Sequence, residues 1–364
     1  MQEKILFRNP SSGLVEVKEF SSKAPYRQWV RTDNGVQLKE FAADSALGML
    51  RIADPVLTDL AQGYPVQDEM IGDILFPSVR VAKESGRFPA FGKEAFIIPD
   101  GLKRALGGNV TRMITQTGYI QFTLDEYAEG FDIENREINE WAAASGQLLV
   151  ARQNALNSQL ALNRENIQMT LATTDTGYAT GFSLSGASKA WGAGGDATKD
   201  MLQLIALVKK TNGKAPDVAW FTPTAWFNFT NNASVFNKIK YGGSPLSPAE
   251  IYTAGQAAVA KLLGVKRVVV AWASYGTGGT GGFKQADLTM DWLWESVNGA
   301  CAGCVITGQG WGVPSFGYTY ERLNSPIVVS WYDNSVKSMK YDTEHFLGSA
   351  ITKTDGGAMY YELT

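Results

Sequence analysis

The residues of this 364-residue chain that could do chemistry are few and scattered. His345 is the only histidine, which argues against hydrolytic or metal sites built on two or more imidazoles. It sits in YDTEHFLG, within a strand-rich stretch, where a packed histidine is the expected role. Cys301 and Cys304 form ACAGC, the spacing of a redox pair or of half a zinc site. A structural zinc site needs a second ligand pair, and no other cysteine exists. The flanking Gly299, Ala300, Ala302 and Gly303 favour two buried thiols in a tightly packed strand. Gly276 to Gly282 is glycine-rich, but Phe283 and Lys284 follow it where a phosphate loop requires Lys-Ser/Thr at a helix start. Asp125, Glu126, Glu129, Asp132, Glu134, Glu137 and Glu140 concentrate carboxylates that acid–base chemistry could use. Their simpler role is negative charge at the start of a helix, where the macrodipole favours it. No catalytic, cofactor-binding or metal-binding residue is therefore expected.

The elements around these residues explain more than the residues do. The chain is 45% hydrophobic and 19% charged, so it can bury a substantial core. A net charge of −3 leaves nucleic-acid contact to local patches. No segment has the apolar length of a membrane span, and MQEKILFRNPSSG lacks an apolar signal core. We expect folding in a cytoplasm-like compartment.

Residues 1–45 read as an extended arm, and Pro55 should interrupt a helix over 42–60. Residues 73–125 carry two stretches of strand chemistry. DILFPSVRVAKESGRFPAFGKEAF is too charged and too glycine-marked for a core strand. In RMITQTGYIQFTLDEY the period of two is clear: Ile114, Gly118, Ile120, Phe122 and Leu124 share a face. Together they read as a long projecting hairpin, with Arg80, Lys83, Arg87, Phe88, Phe91 and Lys93 forming a basic, aromatic edge. An isolated hairpin is marginal in water, so another surface should carry it. The stretch 134–171 predicts one helix of roughly 38 residues and about 57 Å. Its apolar stripe would be Leu148, Leu149, Leu156, Leu160, Ile167 and Leu171, with Gln153, Asn154, Asn157, Asn163 and Asn166 facing solvent. Over 200–310, helices and buried strands alternate as an α/β unit. The remainder is strands.

The order of these pieces resembles the major capsid protein of tailed bacteriophages. IGDILFPSVRVAKESGRFPAFGKEAF resembles the entry to that family's extended loop, and TGYIQFTLDEYAEGFDIENRE the return strand and start of its spine helix. DVAWFTPTAWFNFTNNASVFNKIKY with SPAEIYTAGQAAVAKLLGVKRVVVAWAS resembles the axial domain, and YDTEHFLGSAITKTDGGAMYYEL the last peripheral strands. The resemblance implies an α+β phage major capsid (Johnson) fold: N-terminal arm and linking helix (1–72), extended β-hairpin loop (73–125), spine helix and peripheral domain (126–199), α/β axial domain (200–313) and peripheral strands (314–364). It implies a structural protein, not an enzyme, that self-assembles as hexamers and pentamers into an icosahedral shell around double-stranded DNA. It implies a virion location after assembly in the host cytoplasm, no cofactor, no membrane and only non-specific contact with packaged DNA. Residues 1–45 are too short and too poorly helical for a built-in scaffold, so a separate scaffolding protein is expected, with portal and decoration proteins as further partners. The loop residues Arg80, Lys83, Arg87, Phe88, Phe91 and Lys93 would contact a neighbouring subunit, with Glu126, Glu129, Glu134 and Glu137 as candidate acidic partners. A cellular nanocompartment shell of the same fold is the nearest alternative, and an α/β enzyme with a β-extension the next.

Overall fold

A computed structural model describes residues 3–8, 15–20, 26–32, 35–41, 52–62, 70–91, 117–140, 145–189, 191–241, 255–277, 289–308 and 314–363. The N-terminal region is folded back on itself instead of running as one arm. β1 (Glu3–Arg8) pairs antiparallel with β2 (Val15–Phe20), and β3 (Tyr26–Thr32) with β4 (Gly35–Phe41). After β5 (Ile52–Ala53), Pro55 begins α1 (Pro55–Gln62) where the sequence suggested an interruption. The reason is local: the first helical position has no use for a backbone N–H. Asp54 Oδ1 accepts from Val56 N at 3.0 Å and Leu57 N at 3.1 Å, capping the turn.

The segment expected to project divides in two. α2 (Gly72–Leu75) leads into β6 (Ser78–Val81), which is a strand of the main sheet with Val79 and Val81 buried. Only β7 (Ser85–Phe91) and β8 (Thr117–Thr123) form the separate antiparallel ribbon. Phe122 anchors it: its ring stacks on Tyr320 at 4.8 Å within a cluster of Val79, Val81, Leu124 and Tyr318.

Next come β9 (Asp125–Glu134), α3 (Asn135–Glu140) and α4 (Ser145–Thr173). The acidic run is thus a strand from Asp125 to Glu134, and only Glu137 lies in the first turn of a helix, α3; the spine α4 has 29 residues, about 44 Å. Its buried face also differs from the expected one. Leu156 and Leu160 are buried, but so are Gln153, Asn157, Glu165 and Gln168, which continue the same face of the helix. Gln153 Nε2 donates to Asn157 Oδ1 and to Thr343 Oγ1. The helix meets the sheet through amides as much as through leucines.

The α/β lobe follows the expected alternation: β10 (Ser183–Ser185), α5 (Ala197–Asn212), β11 (Val218–Phe221), α6 (Pro223–Asn231), α7 (Ala233–Tyr241), α8 (Gln256–Leu263) and β12 (Arg267–Val270). Asp196 caps α5 by accepting from Lys199 N, and Gly213 and Gly264 end α5 and α8 at positive φ, 67° and 69°. β11 and β12 pair in parallel, as a buried α/β core demands. β13 (Ser274–Thr277) and β14 (Thr289–Trp292) form a separate hairpin. So Gly276 of the glycine-rich run is strand, and 278–288 lies outside the described residues. β15 (Ala302–Val305) completes the centre of the lobe's sheet, antiparallel to β11.

The last strands serve two sheets. β16 (Gly317–Arg322) and β17 (Ile327–Asp333) lie along one edge of the 14-residue β18 (Ser338–Ile351), and β9 lies along part of its other edge. β6 pairs in parallel with β16, and β5 pairs antiparallel with β17. β19 (Gly357–Tyr361) does not stay in this sheet: it crosses to the α/β lobe, whose strand order is β10-β19-β15-β11-β12. The final strand, expected among the peripheral strands, therefore pairs within the sheet of the α/β lobe. Trp191, Trp220, Trp226 and Trp294 fill the lobe's core without exposure.

Candidate functional site

Two surfaces and one cavity gather the residues singled out in the sequence. The first surface is the β7–β8 ribbon. Lys83 and Arg87 are exposed at and beyond its root. Arg87 faces Gln121 across the ribbon, whose amide oxygen accepts from Arg87 Nε and Nη2 at 3.3 and 3.2 Å once turned toward it. Glu84 beside them pairs with Arg322 at 3.2 Å, and Arg322 also lies over the Phe346 ring. The structure describes no side chain for Phe88 and Phe91, and Lys93 lies outside the described residues. Arg80 is not on the ribbon. It is on β6 and lines the cavity beneath α4.

The second surface is β9. It carries five acids in ten residues and pairs, among the described residues, only with β18. Alternation puts Glu126, Asp132 and Glu134 on one face and Glu129 on the other, beside Tyr127, Phe131 and the buried Ile133. Glu126, Glu129 and Glu134 are exposed and form no ion pair among the described residues. Glu137 differs from these three: it is on α3 and is bound by Arg152 of the spine. It is satisfied within the subunit. Within one subunit none of these acids pairs with Arg80, Lys83 or Arg87. Charge on a strand with an open edge also prevents indiscriminate strand addition.

The cavity, about 200 Å³, lies between α4 and the sheet and is lined by Asp73, Arg80, Asn157, Arg164, Glu165, Gln168, Glu321 and His345, among others. Arg164 spans it, pairing with Asp73 Oδ1 at 2.6 Å and with Glu321. Burial pushes the Glu321 carboxyl up, and Arg164 opposes that shift. Burial, with the charge of Arg164, pulls His345 down to about 4. The lone histidine is thus a neutral, enclosed ring and not a titrating base at neutral pH. Sequence reasoning missed this charged constellation entirely. The signal was the spacing of Asn157, Arg164, Glu165 and Gln168 on the same helix face as Leu160.

Cys301 and Cys304 are both buried, and burial pushes each thiol up to about 12. A thiol so high is a poor nucleophile and a poor ligand. No group of three or more His, Cys, Asp or Glu side chains suited to a metal occurs among the described residues.

No family model matches the chain. Over 305 residues it is 28% identical to the major capsid protein of Burkholderia phage BcepMu, covering 82% of this chain and 93% of that one. It shares its fold with a phage-related protein from Bordetella bronchiseptica RB50, at a TM-score of 0.65 and 22% identity, over 86% of this chain and 99% of the other. The sequence relationship across most of both chains, with the α+β fold of spine helix, peripheral sheet, ribbon and α/β lobe, supports a phage major capsid protein.

Proposed function

We propose that this chain is the shell subunit of a tailed phage: copies associate as hexamers and pentamers into a closed icosahedral capsid around double-stranded DNA. The observation that carries this reading is its similarity to the BcepMu major capsid protein over nearly that protein's full length. The geometry agrees with a structural role. Its prominent unsatisfied features are a two-stranded ribbon standing apart from both larger sheets and an acidic strand with one edge open among the described residues. A two-stranded ribbon is marginal alone, so a sister subunit is the natural support.

In this reading Lys83, Arg87 and, further along, Phe88, Phe91 and Lys93 meet the neighbour, with Glu126, Glu129 and Glu134 as the acids they address. Arg80 and Glu137 drop out, since one lines an internal cavity and the other is paired. Such charge pairs set register more than affinity, and repetition over many contacts supplies the strength. A separate scaffolding protein and a portal complete the assembly, which takes place in the host cytoplasm and yields a virion component.

Negative-stain microscopy of the full chain, alone and with a scaffolding partner, tests this. Closed shells of uniform size are expected, and particles from the native source should contain DNA. A protein that stays monomeric with every partner supplied, or native particles filled with an enzyme, would reject the reading.

A further inference from the structure

Glu165 sits on the inner face of α4 and is 2% exposed. Its Oε1 accepts from Ile71 N at 2.9 Å, Gly72 N at 3.0 Å and Trp294 Nε1 at 2.7 Å, and Oε2 shares the Gly72 N–H at 2.9 Å. One carboxyl thus ties together the spine, the α2 segment that leads to β6 and the ribbon, and the Leu293–Glu295 turn of the α/β lobe. No cation pairs with it among the described residues. Its chain neighbour Arg164 is committed to Asp73 and Glu321.

Gln168, one turn along and equally buried, completes the arrangement. Its Nε2 donates to Asp73 Oδ1 and to Thr319 Oγ1, each at 2.9 Å. Asp73 Oδ1 also takes the Arg164 guanidinium and so faces Gln168 as an acceptor, and the amide cannot be turned around. Gln168 Oε1 is then left buried with no donor. A Cβ placed on Gly72 would stand 2.0 Å from that oxygen and 2.5 Å from Glu165 Oε2. The two oxygens are therefore neighbours across the bare glycine. An orphaned buried acceptor beside a carboxyl oxygen is satisfied if that carboxyl carries a proton.

We propose that Glu165 is carried as the neutral acid, its Oε2–H donated to Gln168 Oε1, and that losing this proton loosens the joint between spine, ribbon root and α/β lobe. Burial agrees: against the pull of its N–H donors, it pushes the Glu165 carboxyl up to about 7, with Asp73 adding to the rise. The other charged or titratable groups on the same cavity are Asp73 on α2, Arg80 on β6, Arg164 on α4, Glu321 on β16 and His345 on β18. Glu295, beside Trp294, is occupied by Thr224 N and Oγ1. For an acid raised on folding, the native state holds the extra proton. Stability from this site is therefore full below about 4.5 and is lost as pH rises through about 7.

The test is Glu165→Gln in the full chain, read as the thermal midpoint from about pH 5 to about pH 8 against wild type. The variant's Nε2 would replace the O–H toward Gln168, and its Oε1 would keep the three donors. The expected result is equal midpoints at the acid end and a variant that is the more stable at the alkaline end. A variant less stable than wild type by a constant amount at every pH would overturn the proposal, because the donors would then be holding an ionised carboxylate. Should the variant not fold, the wild-type infrared spectrum decides. A protonated-carboxyl band present at about pH 6 that titrates away near neutrality is expected, and its absence overturns the proposal.

Discussion

Arg164 Nη2 lies 2.6 Å from Asp73 Oδ1, joining the middle of the spine helix to the short helix that precedes the ribbon. The other arm of the same guanidinium pairs with Glu321 on β16. One planar cation therefore fixes helix, ribbon root and sheet, a fork geometry that lysine cannot reproduce. Arg164→Leu would leave two partly buried carboxylates without their cation. We expect a loss on the order of 3 kcal/mol in urea unfolding, with Arg164→Lys recovering only part of it. A loss under about 1 kcal/mol would mean the pair behaves as a surface contact.

Gln153→Leu tests the polar seam between the spine and β18. The substitution adds apolar volume but strands Asn157 and Thr343, both buried. The expected change is a loss of about 1–3 kcal/mol. A stabilised variant would show that the seam is replaceable by ordinary packing.

His345 provides a pH dependence opposite in sense to that of Glu165. Its ring is pulled below its ordinary value, to about 4, by burial first and Arg164 second. An unfolded chain takes up the proton at about 6.5, before the native one does. Stability is therefore complete above about 6.5 and falls as pH drops toward 4. His345→Asn should flatten that acid limb when unfolding midpoints are compared between about pH 4 and pH 7. An unchanged slope would place the acid sensitivity elsewhere.

Charge reversal of Lys83 and Arg87 to Glu should leave the unfolding midpoint of the isolated chain within about 0.5 kcal/mol, since both are exposed. Shell yield in sedimentation should fall several-fold. Adding Glu126→Lys and Glu134→Lys to the same chain should restore part of it. Full yield from the first double variant would remove these residues from the subunit contact.

Cys301→Ala with Cys304→Ala should cost about 1–2 kcal/mol as two small core groups are deleted. Assembly should be unaffected by chelator or reductant. A metal-dependent midpoint in the wild-type chain would contradict the inert, fully enclosed thiols.

Where the sequence was legible, local signals and burial agreed. VAWF and RVVV are apolar runs between amphipathic helices, and Asp196, Gly213 and Gly264 mark helix ends by side-chain and backbone chemistry that depends on no distant partner. The ribbon's alternation around Phe122 was equally local. The rest depended on partners far along the chain. β6 looked too charged for a core strand, yet its valines are buried while Arg80 reaches a cavity closed by Asn157 and Gln168 of the spine and by Glu321 and His345 more than two hundred positions away. Gln153 and Asn157 looked like part of a wet helix face and Glu165 and Gln168 drew no notice, because periodicity counts apolar residues and cannot see a hydrogen bond to Thr343 or Trp294. Pro55 was taken as a break although Asp54 before it supplies a cap. The acids of 125–134 favoured a helix start until β18 gave them a strand to pair with.

The place of β19 has a consequence for biosynthesis. It is an inner strand of the α/β lobe, between β10 and β15. While residues 357–361 remain inside the ribosome, β15 has an unpaired flank and β10 lacks its one strand partner among the described residues. The lobe can mature only after translation has passed that point, so a nascent subunit emerges with an open groove that chaperones can recognise and that premature stop codons would leave unfilled.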